Sequence, residues 1–218
     1  MRTNPFLDSL LFLIGYDDNY KPLGAGQYPL IVLFDLLVAA NIALLVVNWR
    51  ADPTQRRARN LYLWLTRSLI GAMWFQGSIW KLPLPVSGGF KYWMDQIAQN
   101  AAWPAMADFY KDVLIPNIAY LNVIAYAAEL SFAIALMLGF AVRLAGITGV
   151  AFAANIWLGL YHNGSEWPWQ YMFLMLLLGL LAADAAGRSL GLDALLRRSA
   201  DRSQYRPSPL ARLHRLVS

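Results

Sequence analysis

Cysteine is absent from all 218 residues, which excludes disulfides, thiolate metal sites, iron–sulfur clusters and cysteine nucleophiles within this chain. Histidine is nearly absent. The only two are His162 and His214, and a bis-histidine haem needs two facing ligands inside a bundle, so no haem is expected. Charge is scarce as well, at 14% of residues against 58% hydrophobic, with a mean hydropathy of +0.40 that is too apolar for an ordinary soluble domain. The first residues lack a basic n-region and a small-x-small cleavage site, so no cleaved leader is expected. Gly24-Ala25-Gly26 lacks the strand and helix of a dinucleotide fingerprint, and no flavin or metal motif is evident.

What the chain has instead is long apolar runs. A hydrocarbon core about 30 Å thick needs roughly 20 apolar residues per helix, and residues 28–49, 61–80, 117–140, 144–161 and 168–186 supply them. The chain therefore reads as an all-α integral membrane protein. Arginines gather between the first two spans (Arg50, Arg56, Arg57, Arg59), after the third (Arg143) and from Arg188 into the tail, and the positive-inside rule assigns these segments to the cytoplasm. The four lysines, Lys21, Lys81, Lys91 and Lys111, then fall outside together with the N-terminus. The net charge of +5 sits on membrane-flanking segments, where topology and anionic lipid account for it, so no nucleic-acid partner is expected.

Residues 81–116 form one long loop that opens with Leu82-Pro83-Leu84-Pro85 and Ser87-Gly88-Gly89, which break any helix. Two amphipathic stretches follow, around 90–100 and 104–115, and predict helices on the outer surface, as a functional cover or as a plain interfacial linker. Ser9 to Gly15 predicts an interfacial segment ahead of the first span. The arginine-rich tail from Ser199, with Pro207 and Pro209, predicts a polar segment outside any core.

Ionisable residues inside a span are costly and face a partner, a bundle interior or a wet cavity. On the second span Arg67, Gly71, Trp74, Ser78 and Lys81 share a helical face, and on the third Asn122, Tyr126 and Glu129 do the same. The fourth offers Asn155, Gly159 and His162, and the fifth Gln170 and Asp184. Sorted by a rise of about 1.5 Å per residue, Lys81, Ser78, Trp74, Asn122, Tyr126, Asn155, His162 and Gln170 occupy the outer half, with Glu129 near the middle. Arg67, Arg143, Asp184 and Arg188 form an inner group, read as a structural ion-pair network. The outer group reads either as a ligand pocket or as a satisfied polar core with Lys81 reaching toward water. Asp35, a third of the way along the first span, is a buried acid in need of a partner, and Gln76 is a secondary candidate.

Three elements resemble a known family. Arg67-Ser68-Leu69-Ile70-Gly71 with Gln76-Gly77 and Lys81 resembles the opening signature of the DoxX/DoxD membrane proteins. Glu129, then Leu138-Gly139 and Arg143-Leu144-Ala145, resembles their second element. Trp169-Gln170-Tyr171 and the run Asp184-Ala185-Ala186-Gly187-Arg188-Ser189-Leu190-Gly191-Leu192-Asp193 is similar to the ending of the DoxD branch. The resemblance covers residues 67–193 and implies a four-helix DoxX-like bundle of spans two to five, with one additional N-terminal transmembrane helix. The organisation expected is an N-terminal segment (1–60), the membrane domain (61–193) and a basic tail (194–218), in a bacterial or archaeal inner membrane.

The DoxD branch is known as a subunit of thiosulfate:quinone oxidoreductase, which oxidises thiosulfate to tetrathionate and reduces a membrane quinone together with a DoxA subunit. The resemblance thus implies a small sulfur oxyanion, quinone as electron acceptor, membrane lipid, and a DoxA-like redox partner or a homo-oligomer. On that reading Lys81, with Lys91 or Lys111, offsets the anion's charge beside Asn155, and His162 carries protons. Tyr126, Asn155 and Gln170 donate to quinone oxygens, Trp74 or Trp169 stacks on the ring, and Glu129 takes a quinol proton or neutralises Lys81. Two rivals stand beside it: a non-catalytic anchor or assembly subunit of a redox complex, and a small sulfur-oxyanion transporter, against which the lack of an inverted repeat counts.

Overall fold

The computed structural model describes residues 20–202 together with residues 4, 7, 8, 10, 11 and 218. Of the interfacial segment expected at Ser9 to Gly15 only residues 10 and 11 are described, and of the tail beyond residue 202 only Ser218, so neither expectation is decided within the described residues. Among the described residues there is no strand. After a 3-10 turn at Lys21–Gly26 come α1 (Gln27–Ala51) and α2 (Ala58–Ile79). The loop carries α3 (Gly88–Asn100) and α4 (Pro104–Phe109), which runs through a π turn and a 3-10 turn into α5 (Ile118–Leu138). Then follow α6 (Val142–Gly159), α7 (Pro168–Ala183) and α8 (Leu192–Arg202).

This is an all-α membrane protein. The helical stretches Lys21–Ala51, Pro104–Leu138 and Val142–Gly159 are long and apolar enough to cross a bilayer, and Pro168–Ala183 is apolar but shorter. Helix α2 has the length, but Arg59, Asn60, Arg67 and Gln76 dilute its apolar character. Helix α2 pairs along its length with α5, α6 pairs with α7, and α1 lies against α5. The central core joins Phe34 of α1, Ile70, Phe75 and Ile79 of α2, Phe132 and Leu136 of α5, and Leu178 and Leu181 of α7. A second cluster, with Phe90, Met94, Ile97, Tyr110, Ala125 and Leu160, seals α3 onto the ends of α5 and α6. The stretch expected to lie on the surface is thus half core, because α3 buries one apolar face against the bundle.

At the end away from the long loop, which we call the arginine end, the helices are tied by one buried cation. Arg67 is 0% exposed, and its Nη1 donates to the carbonyls of Leu136 (2.5 Å) and Met137 (2.7 Å) in the last turn of α5. The last carbonyls of a helix lack regular i+4 amide partners, and here Leu136 O receives only the long Gly139 amide bond (3.3 Å), so a guanidinium there serves as C-cap and complements the helix dipole. Nη2 reaches Leu190 O at 3.4 Å. Gly139 ends α5 in the left-handed region (φ 67°), where a Cβ would sit 2.7 Å from Arg67 Cζ. Only glycine provides both the turn and the space. Asp193 caps the next helix: its carboxylate accepts from the amides of Ala141 (3.0 Å) and Val142 (3.4 Å) at the start of α6. Its own amide donates to Gly139 O at 2.9 Å.

The same turn gathers the rest of the chain. Asn48 of α1 donates to Gly191 O (3.0 Å) and accepts from Arg198, Gln55 accepts from the Leu190 amide (3.0 Å), and Asn60 accepts from Ser189 (3.0 Å). The ion-pair network expected among Arg67, Arg143, Asp184 and Arg188 is therefore replaced by a hub of helix caps. Asp184 pairs with Arg59 at 2.5 Å on the exposed rim, and Arg188 donates to Ser218 O at 2.9 Å. Arg143 begins α6 and lines a shallow groove with Ile147 and Val150. The start of the basic tail is not loose, since Ala194 is buried and Arg198 holds α1.

Helix α2 approaches α5 closely at Gly71, where a Cβ would lie 2.8 Å from Met137 Cγ and 3.1 Å from Ala133 O. Replacing Gly71 by leucine forces the two helices apart, and we expect a stability loss of about 2–3 kcal/mol. Gly179→Leu, whose Cβ meets nothing within 4 Å, is the matched control. Denaturant midpoints in detergent check this, and equal shifts for the two variants would refute the close packing.

Candidate functional site

At the loop end, α2 stops at Ile79 and the chain turns through Trp80 and Lys81. Lys81 does not reach toward water. It is 2% exposed, and its Nζ lies 2.6 Å from Glu129 Oε2 of α5, 3.4 Å from Gly77 O and 3.9 Å from the Trp80 ring centroid. Glu129 is also buried, with 6% of its side chain exposed. Removing two charges from water costs several kcal/mol per ion, and the pair persists because each offsets the other and further groups satisfy the ammonium. Asn122, two turns nearer the loop end of α5, donates to Lys81 O (3.0 Å) and Pro85 O (3.1 Å) and fixes the turn that presents the lysine. Ser87 then caps α3, accepting from the Phe90 amide and donating to Trp80 O, both at 3.0 Å.

These elements enclose a cavity of about 390 Å³. One wall is Met73, Trp74, Gly77, Trp80 and Lys81; another is Phe90, Trp93, Met94 and Ile97 of α3 with Tyr110. Leu121, Ala125 and Glu129 of α5, Phe152, Asn155 and Ile156 of α6 with Leu160, and Glu166, Tyr171 and Leu174 complete it. Its volume falls in the range of small-molecule sites, which are mostly apolar with a few placed polar groups. Trp74 stands edge-on to Phe132 (5.2 Å, 65°) and Phe152 (5.7 Å, 78°), and its buried Nε1 has no hydrogen-bond partner among the described residues. Asn155 donates to the Tyr110 hydroxyl at 2.7 Å. Glu166 accepts from the Tyr171 hydroxyl and from Gln170, both at 2.7 Å.

Of the residues predicted to form the site, Lys81, Glu129, Asn155 and Trp74 line this cavity. Others do not. His162 is exposed, with Nδ1 3.1 Å from Ala101 O and its amide donating to Asn100 O (2.9 Å), so it fastens the turn after α6 to the end of α3. Lys91 and Lys111 point to solvent, Trp169 is 61% exposed and Gln170 is exposed. Tyr126 is half-buried beside Ala125 but outside the lining. Helical spacing assigned these residues a depth; it did not assign an azimuth relative to helices that pack from other parts of the chain. Tyr110, Glu166, Tyr171, Phe152 and the α3 wall were missed. The amphipathic patterns of 90–100 and 104–115 were the visible signal for the α3 wall and Tyr110, and burial of Phe90, Met94, Ile97 and Tyr110 shows which way they face.

The three sequence elements converge in space. Arg67, Gly139 and Asp193 meet at the arginine end, and Lys81 and Glu129 meet at the loop end. A family model described as TQO small subunit DoxD matches residues 62–208. The chain belongs to the DoxD family. No curated protein and no solved structure matches it. The matched stretch holds the bundle and the whole cavity lining, whereas α1 lies outside it in this DoxD protein.

Removing one partner of the buried pair leaves the other uncompensated, so Lys81→Met and Glu129→Leu should each cost about 3–5 kcal/mol, and the double variant much less. A double-mutant cycle of unfolding in detergent measures this. Additive losses would mean that the two side chains act independently.

Proposed function

We propose that this DoxD protein is the quinone-binding membrane subunit of a thiosulfate:quinone oxidoreductase-type system, with the loop-end cavity as the seat of the quinone ring. The observation that carries this reading is the charge of the cavity. One cation, Lys81, stands against two carboxylates, Glu129 and Glu166, and Lys81 is already matched at 2.6 Å. A sulfur oxyanion dianion entering that space would meet net negative charge in a low dielectric, which opposes binding. A neutral planar ring meets Trp74, Trp80, Phe90, Trp93 and Phe152, with polar groups at the edges. The dianion is therefore handled outside this cavity, on a partner subunit that passes electrons inward, and Lys91 and Lys111 are not its counter-charges here.

The residues of this chain position the ring and manage its protons. Lys81 donates to Glu129 and, at long range, to Gly77 O, which leaves one ammonium proton for a ring oxygen. Glu129 keeps that lysine charged and hence a donor. Asn155 and Tyr110 form a second polar pair on the wall. A quinone seated there would have its oxygens beside Lys81 or Tyr110, within reach of a general acid, and would supply the electron acceptor itself.

Three tryptophans line the cavity, so a water-soluble quinone analogue titrated into the purified chain should quench its fluorescence. Filling the space with Ala125→Phe should weaken that binding by about tenfold or more, equivalent to about 1.4 kcal/mol. Lys91→Ala and Lys111→Ala should leave it unchanged, and thiosulfate should not compete. Competition by thiosulfate, or full affinity in Ala125→Phe, would sink the proposal.

A further inference from the structure

The cavity is roofed on the loop side and open at one flank. The roof is α3, where Phe90, Met94 and Ile97 are buried in one cluster with Tyr110, Ala125 and Leu160, and where the Trp80 and Phe90 rings lie 6.1 Å apart. Toward the bundle centre the contacts of Trp74 with Phe132 and Phe152 close the space. On the flanks α2 pairs with α5 and α6 with α7, but α2 does not pack along α7. Both of these helices contribute to the lining, Met73 and Gly77 from α2 and Tyr171 and Leu174 from α7, so a gap between them borders the cavity. Helix α1 adds nothing to the lining, and its Asp35, expected to be buried, is exposed.

The α2 edge of the gap faces two ways. Met73 lines the cavity, yet it is 46% exposed and belongs to the outward row of α2 with Leu69 and Trp80. Gly77 is one turn from Met73, and a Cβ there would meet nothing within 4 Å. Met73 lies six residues, about 9 Å, before the end of α2 at Ile79, so the gap opens into the hydrocarbon layer and not into water. The surface outside it is apolar, with Phe173 and Leu177 exposed on α7. Such an opening admits solutes dissolved in lipid. A charged one would first have to leave water unpaired, which is costly.

We propose that the cavity is entered from the bilayer through this window between α2 and α7, with Gly77 as its sill. The ligand is then a ring with a long apolar tail, the ring inside and the tail passing through the window into the leaflet on the loop side. The inference rests on the quinone reading of the cavity and adds to it where the ligand comes from and which part of it stays outside the protein. Volume points the same way. About 390 Å³ is near the lower end of the range for small-molecule sites, enough for a ring but not for a long tail as well. A tail left in lipid costs the protein no cavity.

The test compares two benzoquinones with the same ring, one bare and one carrying a decyl tail. Each is titrated into the full chain in phosphatidylcholine nanodiscs, followed by tryptophan fluorescence, with affinities referred to the quinone concentration in the lipid. Gly77→Phe should weaken the tailed quinone by about tenfold or more and hold the bare ring within about twofold, which also shows that the variant is folded. Ala125→Phe, which fills the ring seat, should weaken both, and Leu69→Phe, exposed outside the lining, should weaken neither. Equal effects of Gly77→Phe on the two quinones, or no effect on either, overturn the window. Failure of both quinones to bind the unaltered chain overturns the quinone reading itself, and the window with it.

Discussion

A guanidinium with no exposure, inside a helical bundle, has to find its hydrogen bonds in protein. Arg67 finds them in the last carbonyls of α5, at 2.5 and 2.7 Å, and much else at that end follows from the choice. Carbonyls at a helix end want a cation, and water is scarce there. The chain must then leave α5 abruptly, through a left-handed Gly139 with no side chain to displace the arginine. The next helix starts three residues on, at Val142, with free amides that the Asp193 carboxylate satisfies. One cation and one anion thus close a helix end and a helix start, and the turn that carries Asp193 also holds α1 through Asn48.

The loop end uses the same chemistry for another purpose. Lys81 and Glu129 are nearly as buried as Arg67, but their pair borders open space. At the arginine end backbone carbonyls and amides take up most of the hydrogen bonding, with Arg67 Nε left without a partner among the described residues. At the loop end the charges satisfy each other side chain to side chain, so an ammonium proton and a carboxylate oxygen stay available at the cavity wall. About 21 Å of α2, fourteen residues, separates the two arrangements. That length lets the bundle be rigid where it is capped and hollow where α3 covers it.

Much of the fold was legible because its causes are local. Apolar length set five helices within two or three residues of their observed ends, and Gly139 and Pro168 mark a stop and a start that backbone chemistry dictates. The site was legible along each helix but not around it. Lys81 and Glu129 could be paired as opposite charges on polar helix faces, although depth set one in the outer half and the other near the middle. His162 and Gln170 were set in the outer half as well, yet they belong to the rim. What separates the groups is the position of α3, decided by an amphipathic stripe whose partner lies in distant sequence. The inner ion network failed for a related reason: charges were paired with charges, whereas Arg67 and Asp193 are matched mainly to the unsatisfied backbone of helix ends, which carries no sequence letter.

The same accounting bears on what the cavity selects. Charged ligands bind where a protein leaves charge unmatched or presents free amides, and this cavity does neither: its lysine is matched, and a second carboxylate, Glu166, is held by Tyr171 and Gln170. What it leaves unmatched is weaker and more discriminating, an indole N–H on Trp74 with no acceptor among the described residues and an ammonium with a proton to spare, in walls of aromatic carbon. Neutral oxygens on a planar ring answer both without importing charge into the membrane. A dianion has no such match here, because the one cation of the lining is already held by Glu129.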